Sequence, residues 1–155
     1  MRPIIPLTRR FAVTGALEAA DFAEAARLGY RSIICNLPDG ELGHLPQSAE
    51  AARLAAAAGL AFRHVPIAKS ELFSAAVTAG TLQAAAELPG PILAHCASGM
   101  RSAAAWGVAA ARFQPADAVI ATLARAGFNL APLRDDLAAL AVAGEAAPPA
   151  LSAED

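Results

Sequence analysis

The sequence predicts an α/β fold with a mostly parallel central sheet of about four strands flanked by helices. Short apolar runs of strand type alternate with longer segments of helical periodicity, and this alternation is typical of parallel sheets. The 155 residues are enough for one domain, and a hydrophobic content of 56% can fill its core. We expect a single domain over residues 1–142 and a disordered tail over residues 143–155, where alanine and proline are frequent.

Strand-type runs and helical segments alternate through the first half of the chain. Residues 3–10 show no regular pattern. Runs of β-branched or alternating residues predict strands, and apolar residues at helical spacing before a glycine predict helices. The predicted strands are 11–13, 32–36 and 60–67, and the predicted helices are 17–28 and 47–58. Pro66 lacks an amide hydrogen, so we expect the third strand to end at an edge of the sheet or where the chain leaves it.

The second half begins with a predicted helix over residues 74–88, which Pro89-Gly90-Pro91 ends. A short apolar run follows and predicts the last strand. The next helix, over residues 102–112, is apolar almost all round, so we expect it to be buried. Prolines at first helical positions predict two further helices, over residues 115–127 and 132–142.

Composition and charge exclude several classes of function. The net charge is −2, and six Phe, one Tyr and one Trp offer little surface for base stacking, so we expect no nucleic-acid partner. Residues 1–7 are too short and proline-rich for a signal peptide, and no stretch has the roughly 18 consecutive apolar residues of a membrane helix. Two cysteines at this spacing form neither a disulfide framework nor a metal site. We therefore expect a cytoplasmic protein without membrane contact, metal or other cofactor; its oligomeric state stays open.

Residues 91–102 carry the most informative pattern, Pro-Ile-Leu-Ala-His-Cys-Ala-Ser-Gly-Met-Arg-Ser. An apolar strand stops at Cys96, and a polar turn leads directly into an alanine-rich helix. The unpaired amides at the start of that helix point back into the turn, where they can hold an anion or a thiolate. These amides, the helix dipole and Arg101 all favour the thiolate over the thiol. We therefore interpret Cys96 as a catalytic nucleophile.

This motif and several earlier segments carry a resemblance to a known family. The segments are residues 15–29, 33–41, 46, 59–60, 64–66 and 91–102. Over residues 8–113 the chain resembles the bacterial beta-lactamase-hydrolase-like protein, phosphatase-like domain family. Members of that family are similar in fold to tyrosine and dual-specificity phosphatases, and they have been labelled both phosphatases and sulfurtransferases.

The resemblance implies a role for each residue of the motif. Cys96 would be the nucleophile that attacks a small oxyanion or a phosphorylated substrate, and Arg101 would clamp the oxyanion. The hydroxyl of Ser102 would steady the thiolate, and His95 would support the loop. The backbone cradle would comprise Ala97, Ser98, Gly99 and Met100. Chemistry gives the same roles, because a planar guanidinium binds two oxygens of a phosphoryl group and amides stabilise negative charge as it builds.

Two features depart from the pattern of the phosphatases that the family resembles. Those enzymes place five residues between cysteine and arginine, whereas this loop has four and shares the Cys-x-x-Gly-x-Arg form of rhodaneses. Dual-specificity phosphatases also carry an aspartate general acid after the strand that corresponds to residues 60–67. This chain has only Glu71 in that loop, and Asp39 and Glu41 on the other long loop are alternative suppliers of the proton. Protonation of a poor leaving group is commonly worth about 10²–10⁴ in rate.

The second cysteine, Cys35, is interpreted as part of the core. A cysteine at the end of a strand is most often a small buried hydrophobic residue. The alternative is a disulfide with Cys96 that protects a reactive thiolate, because we expect both cysteines to end neighbouring strands.

Three functional hypotheses stand. The first, which we take as the main prediction, is a phosphatase-like hydrolase that acts on phosphate monoesters through a phosphocysteine intermediate. The second is a rhodanese-like sulfurtransferase that carries sulfur as a Cys96 persulfide, which the short loop and the missing aspartate favour. The third is a noncatalytic module that binds anions or another protein.

Overall fold

The computed structural model describes residues 1–152 and contains one five-stranded sheet. Its strands are β1 (Ile5–Thr8), β2 (Phe11–Thr14), β3 (Ser32–Cys35), β4 (Ala61–His64) and β5 (Ile92–His95). Their order across the sheet is β1-β2-β5-β3-β4. β1 pairs antiparallel with β2, and every other neighbouring pair is parallel. The predicted α/β fold with a mostly parallel sheet is confirmed.

Helices cover both faces of this sheet. They are α1 (Ala19–Arg27), α2 (Ser48–Ala57), α3 (Ala75–Glu87), α4 (Met100–Ala110), α5 (Ala116–Arg125) and α6 (Arg134–Ala138). Leu93 of β5 packs in a cluster with residues of α1 and α2. The next residue, Ala94, packs with α4, α5 and α6 on the opposite face, as the alternation of side chains along a strand requires. Within residues 1–152, no helix has both the length and the apolar content to cross a membrane.

Helix α4 is buried along most of its length because its side chains are small. Every residue from 102 to 110 is buried, and Trp106 is the largest side chain among them. A Cβ atom on Gly107 would come within 2.9 Å of the Leu123 side chain, so glycine allows α4 and α5 to approach closely. The predicted buried helix after the Cys96 turn is therefore confirmed.

The structure adds one strand to the four that the sequence predicted. Residues 5–8 form β1, whereas the prediction left residues 3–10 irregular. The reason is Pro6, which is unfavourable inside a sheet but is tolerated in an edge strand. The strand predicted over residues 60–67 is shortened to Ala61–His64, and it forms the opposite edge.

The end of the described chain packs against α4. Residues Pro149–Leu151 form a 3₁₀ turn, the Trp106 indole Nε1–H donates to the Ala150 carbonyl at 2.9 Å, and Leu151 is fully buried. The structure thus differs from the expected disordered tail over residues 143–155, because one buried leucine and one indole donor anchor a segment whose composition suggested disorder. Residues 153–155 lie outside the described part of the chain. The last predicted helix, 132–142, is reduced to a 3₁₀ turn and the short α6.

Replacing Leu151 with alanine should destabilise the protein. We expect a loss of about 2–5 kcal/mol in the free energy of unfolding, because the substitution opens a cavity beneath a fully buried side chain. Urea unfolding followed by circular dichroism measures this loss. The matched control is Leu28→Ala, since Leu28 is 49% exposed and should cost within about 0.5 kcal/mol. Equal, small effects of both substitutions would show that the end of the chain does not pack on α4.

Candidate active site

The Cys96 motif lies where the parallel strands reach their carboxyl ends. The last residues of the four parallel strands are aligned in register across the sheet. They are Thr14 of β2, His95 of β5, Cys35 of β3 and His64 of β4. Four loops therefore leave the same edge of the sheet. They are residues 15–18, 36–47, 65–74 and 96–99. The carboxyl edge of a parallel sheet is the usual place for a binding site in this class of fold.

Gly99 shapes the turn between β5 and α4. Its φ angle is +93°, a left-handed conformation that side chains with a Cβ atom adopt at a cost. In this conformation the Gly99 amide donates a hydrogen bond to the Cys96 sulfur at 3.1 Å. Such a donor stabilises negative charge on sulfur. The sulfur belongs to a residue that is only 1% exposed.

The rim of the cradle is held by two neighbouring segments. The Ala97 carbonyl accepts hydrogen bonds from the Arg2 guanidinium at 3.1 Å and from the Ala16 amide at 3.2 Å. Ser98 and Met100 are exposed at the mouth of the site. A cleft of about 390 Å³ adjoins this rim, and Arg2, Ala16 and His44 are among the residues that line it.

Arg101 is bound by the loop that follows β3 and by the loop that follows β4. Its Nη1 donates to Glu41 Oε1 at 3.0 Å and to the Ile67 carbonyl at 2.8 Å, and its Nη2 donates to Glu41 Oε2 at 2.5 Å. The hydrogen bonds from Arg101 lower the pKa of Glu41, and those to Glu41 raise the pKa of Arg101. Both groups are therefore charged. Arg101 also interacts with the Cys96 sulfur, whose charge and hydrogen bond are smaller causes of the raised pKa of Arg101.

Ser102 takes part in a buried polar network. Its hydroxyl donates to Asn36 Oδ1 at 2.8 Å, and Asn36 Nδ2 donates to the Val65 carbonyl at 2.8 Å. The Asn36 amide also donates to the His95 carbonyl at 2.7 Å. The Ser102 proton is directed to Asn36 and not to the Cys96 sulfur, so the predicted steadying of the thiolate by this hydroxyl stays a prediction. Ser102 instead joins the start of α4 to the ends of β3 and β4.

His95 is buried without a hydrogen-bond partner. The residue is 4% exposed, and neither ring nitrogen has a partner within residues 1–152. Burial lowers the pKa of His95 to about 4, with a smaller contribution from the charge of His64. The imidazole is therefore neutral at neutral pH. Within residues 1–152, the His95 side chain makes no hydrogen bond to the loop, so its predicted supporting role stays a prediction.

The two other candidate acids besides Glu41 have different surroundings. Asp39 Oδ1 accepts from the Ser48 amide at 2.7 Å, and Asp39 Oδ2 accepts from the Ser48 hydroxyl at 2.6 Å. These bonds lower the pKa of Asp39, so it is a carboxylate that caps α2 rather than a ready proton donor. Glu71 is exposed on the loop after β4, and its side chain makes no hydrogen bond or ion pair with any other described residue.

Cys35 ends the strand next to the one that ends at the Cys96 turn, and it has a different environment. Both cysteines are buried free thiols. Burial raises the pKa of Cys35 to about 11, so its thiol is protonated at neutral pH. Its Sγ donates to the Leu37 carbonyl at 3.6 Å. β3 and β5 are indeed neighbours, as predicted, while the proposed disulfide with Cys96 stays untested.

Sequence reasoning identified the motif but missed most of its partners. Arg2, Asn36 and Ile67 contact the motif from distant parts of the chain. Asn36 was predicted as the last residue of a strand and Glu41 as part of the long loop that follows it, and neither position indicated a contact with the motif. Among residues 1–152, no three His, Cys, Asp or Glu side chains cluster closely enough to hold a metal ion.

The burial of His95 predicts that the stability of the protein falls in mild acid. An unfolded histidine has a pKa of about 6.5, and His95 in the folded chain has one of about 4. Between these values the unfolded chain binds a proton that the folded chain does not bind. The free energy of unfolding should therefore decrease by roughly 2–4 kcal/mol as the pH falls from 6.5 to 4.

Urea unfolding at several pH values measures this slope. His95→Asn should flatten it within that window, whereas His44→Asn, on an exposed loop, should leave it unchanged. A slope that is the same with and without His95 would contradict the prediction.

Comparison with known proteins agrees with this geometry. The model of the family described as "Beta-lactamase hydrolase-like protein, phosphatase-like domain" matches residues 4–113. A beta-lactamase hydrolase-like protein from Xylella fastidiosa is 36% identical over 99 residues, which are 64% of this chain and 23% of that protein. The chain thus spans about a quarter of the length of the curated relatives it matches.

Two solved structures are similar over most of the chain. The crystal structure of a candidate phosphatase from Neisseria meningitidis is 31% identical, with a TM-score of 0.74 over 88% of this chain and 97% of the other. Kinase associated phosphatase, crystallised with its catalytic-site cysteine replaced by serine, is 19% identical, with a TM-score of 0.60 over 88% and 94% of the two chains. The second likeness is one of fold. Because the family model covers all the strands after residue 4 and the whole Cys96 motif, the chain belongs to the beta-lactamase hydrolase-like protein, phosphatase-like domain family.

Proposed function

We propose that this chain is a cysteine-dependent, phosphatase-like hydrolase that acts on phosphate monoesters. The observation that carries the proposal is the Cys96 sulfur at the N-terminus of α4. It accepts a hydrogen bond from the Gly99 amide at 3.1 Å, and it interacts with the charged Arg101. Helix N-termini bind oxyanions, and a guanidinium binds two of their oxygens. The family and the phosphatases of similar fold support a hydrolase of this type.

The proposed reaction has two steps. In the first, the Cys96 thiolate attacks phosphorus, an S–P bond forms and the P–O bond to the leaving group breaks. In the second, water attacks the phosphocysteine, a P–O bond forms, and the S–P bond breaks to release phosphate and the thiolate. The cradle amides and Arg101 would stabilise the charge on the equatorial oxygens in both steps.

The leaving group of the first step needs a proton unless it is already a stable anion. Asp39 and Glu41 are both held as carboxylates by hydrogen bonds, which lower the pKa of each. Glu71 has no such partner among the described residues, so we assign it the role of general acid. The matches described above are phosphatase-like and do not favour sulfur transfer.

Cys96→Ser should abolish the hydrolysis of p-nitrophenyl phosphate. We expect a loss on the order of 10³-fold or more in kcat/KM, because the hydroxyl of serine is a far weaker nucleophile than a thiolate. The matched control is Cys35→Ser, which alters the other buried cysteine and should retain activity within a few-fold.

A parallel assay for thiocyanate formation from thiosulfate and cyanide separates the alternatives. Turnover of p-nitrophenyl phosphate that is indifferent to Cys96→Ser would rule out the proposed nucleophile. Thiocyanate formation that depends on Cys96, without any phosphatase activity, would replace the proposal with sulfur transfer.

Glu71→Gln should slow hydrolysis to an extent that depends on the leaving group of the substrate. Hydrolysis of an alkyl phosphate should decrease by about 10²-fold or more, whereas hydrolysis of p-nitrophenyl phosphate should change little, because p-nitrophenolate hardly needs a proton. The ratio of the two kcat values measures the effect. Asp39→Asn serves as the control and should change the hydrolysis of both substrates by the same factor. Glu71 would be removed from the mechanism if Asp39→Asn slowed only the alkyl phosphate, or if Glu71→Gln slowed both substrates equally.

A further inference from the structure

The ion pair between Arg101 and Glu41 joins the first turn of α4 to the loop after β3. The pair is bidentate, with Nη–Oε distances of 3.0 and 2.5 Å. It is also sheltered, since the two side chains are 13% and 24% exposed. A cation at a helix N-terminus is unfavourable unless an anion lies beside it. Glu41 supplies that anion before any substrate is bound.

The contacts of Arg101 leave one edge of its guanidinium for a ligand. A guanidinium has five N–H donors. Glu41 and the Ile67 carbonyl together occupy both protons of Nη1 and one of Nη2. The Nε proton and the second Nη2 proton are the donors that remain. Within residues 1–152 a further partner of Arg101 is the Cys96 sulfur, whose hydrogen bond with the guanidinium contributes to its raised pKa. The two remaining protons lie on the same side of the planar group, which is a geometry that matches two oxygens of a phosphoryl group.

The loop that carries Glu41 is itself braced against α2. Gln47, the N-cap of α2, accepts from the Gly40 amide at 2.6 Å and donates to the Leu42 and Leu45 carbonyls at 3.1 and 2.8 Å. Asp39 is bound to Ser48, as described above. Residues on both sides of Glu41 are therefore fixed by hydrogen bonds. A carboxylate on a braced loop can hold Arg101 in one orientation.

We propose that Glu41 is a positioning residue, which orients Arg101 so that its Nε–Nη2 edge faces the anion in the cradle. Glu41 makes no contact with the substrate in this role; it acts through Arg101. The inference deepens the proposed function, since it concerns the same site. It can nevertheless be tested on anion binding alone, without turnover.

The test uses inorganic phosphate as the probe and titration calorimetry as the measurement. In the Cys96→Ser chain, which cannot form a phosphocysteine, adding Glu41→Gln should weaken phosphate binding by about 10- to 100-fold, the loss typical of a displaced binding group. Glu50→Gln is the matched control, because it removes the same charge from an exposed ion pair on α2 and should leave the Kd unchanged.

A double-substitution cycle separates positioning from a general effect on the fold. When Arg101 is replaced by alanine, Glu41→Gln should no longer weaken phosphate binding, because the residue through which it acts is missing. An equal loss with and without Arg101 would overturn the proposal. Tighter phosphate binding after Glu41→Gln would overturn it as well, since Glu41 would then be competing with the anion for Arg101.

A second variant covers the case in which Glu41→Gln does not fold. Glu41→Asp keeps the charge but shortens the side chain, so it should weaken phosphate binding by less than Glu41→Gln and by more than Glu50→Gln. A Kd equal to that of the parent would contradict the proposal. If the chain hydrolyses no phosphate ester and yet binds phosphate in a Glu41-dependent way, the proposed function fails while the positioning role stands.

Discussion

The left-handed backbone at Gly99 is the constraint on which the site depends. It lets the chain turn from β5 into α4 within four residues, and it aims the Gly99 amide at the Cys96 sulfur. A Cβ atom there would meet the Thr14 carbonyl group at 3.5 Å, which is ordinary contact. The requirement for glycine is therefore conformational rather than steric.

Two adjacent residues then fasten α4 to the loops around it. Arg101 is bound to Glu41 on the loop after β3, and Ser102 is bound to Asn36 at the end of β3. The Asn36 side-chain amide in turn donates a hydrogen bond to the carbonyl of Val65, the residue that follows β4. A buried polar group without a partner costs about 1–3 kcal/mol, so a network in which these groups are satisfied holds one arrangement of the loops.

The distribution of charge around the cradle bears on its chemistry. Arg101 interacts with the Cys96 sulfur, and its partner Glu41 balances its positive charge. Asp39 caps α2, so its charge serves local structure. The exposed Glu71 is thus the one candidate acid from the sequence that stays unengaged within residues 1–152. In the proposed hydrolysis, Glu71 is accordingly the residue assigned to protonate a poor leaving group.

The sequence by itself determined the α/β class, most element positions and the Cys96 motif, because these depend on local periodicity, on glycine and on short spacing. Only the tertiary structure decided which residues surround the motif. Asn36 and Glu41 lie 66 and 60 positions from their partners, and no local pattern carries such a contact. The edge strand β1 and the anchored Leu151 were missed for the same reason: a proline-containing strand and an alanine- and proline-rich end are stabilised by what they pack against.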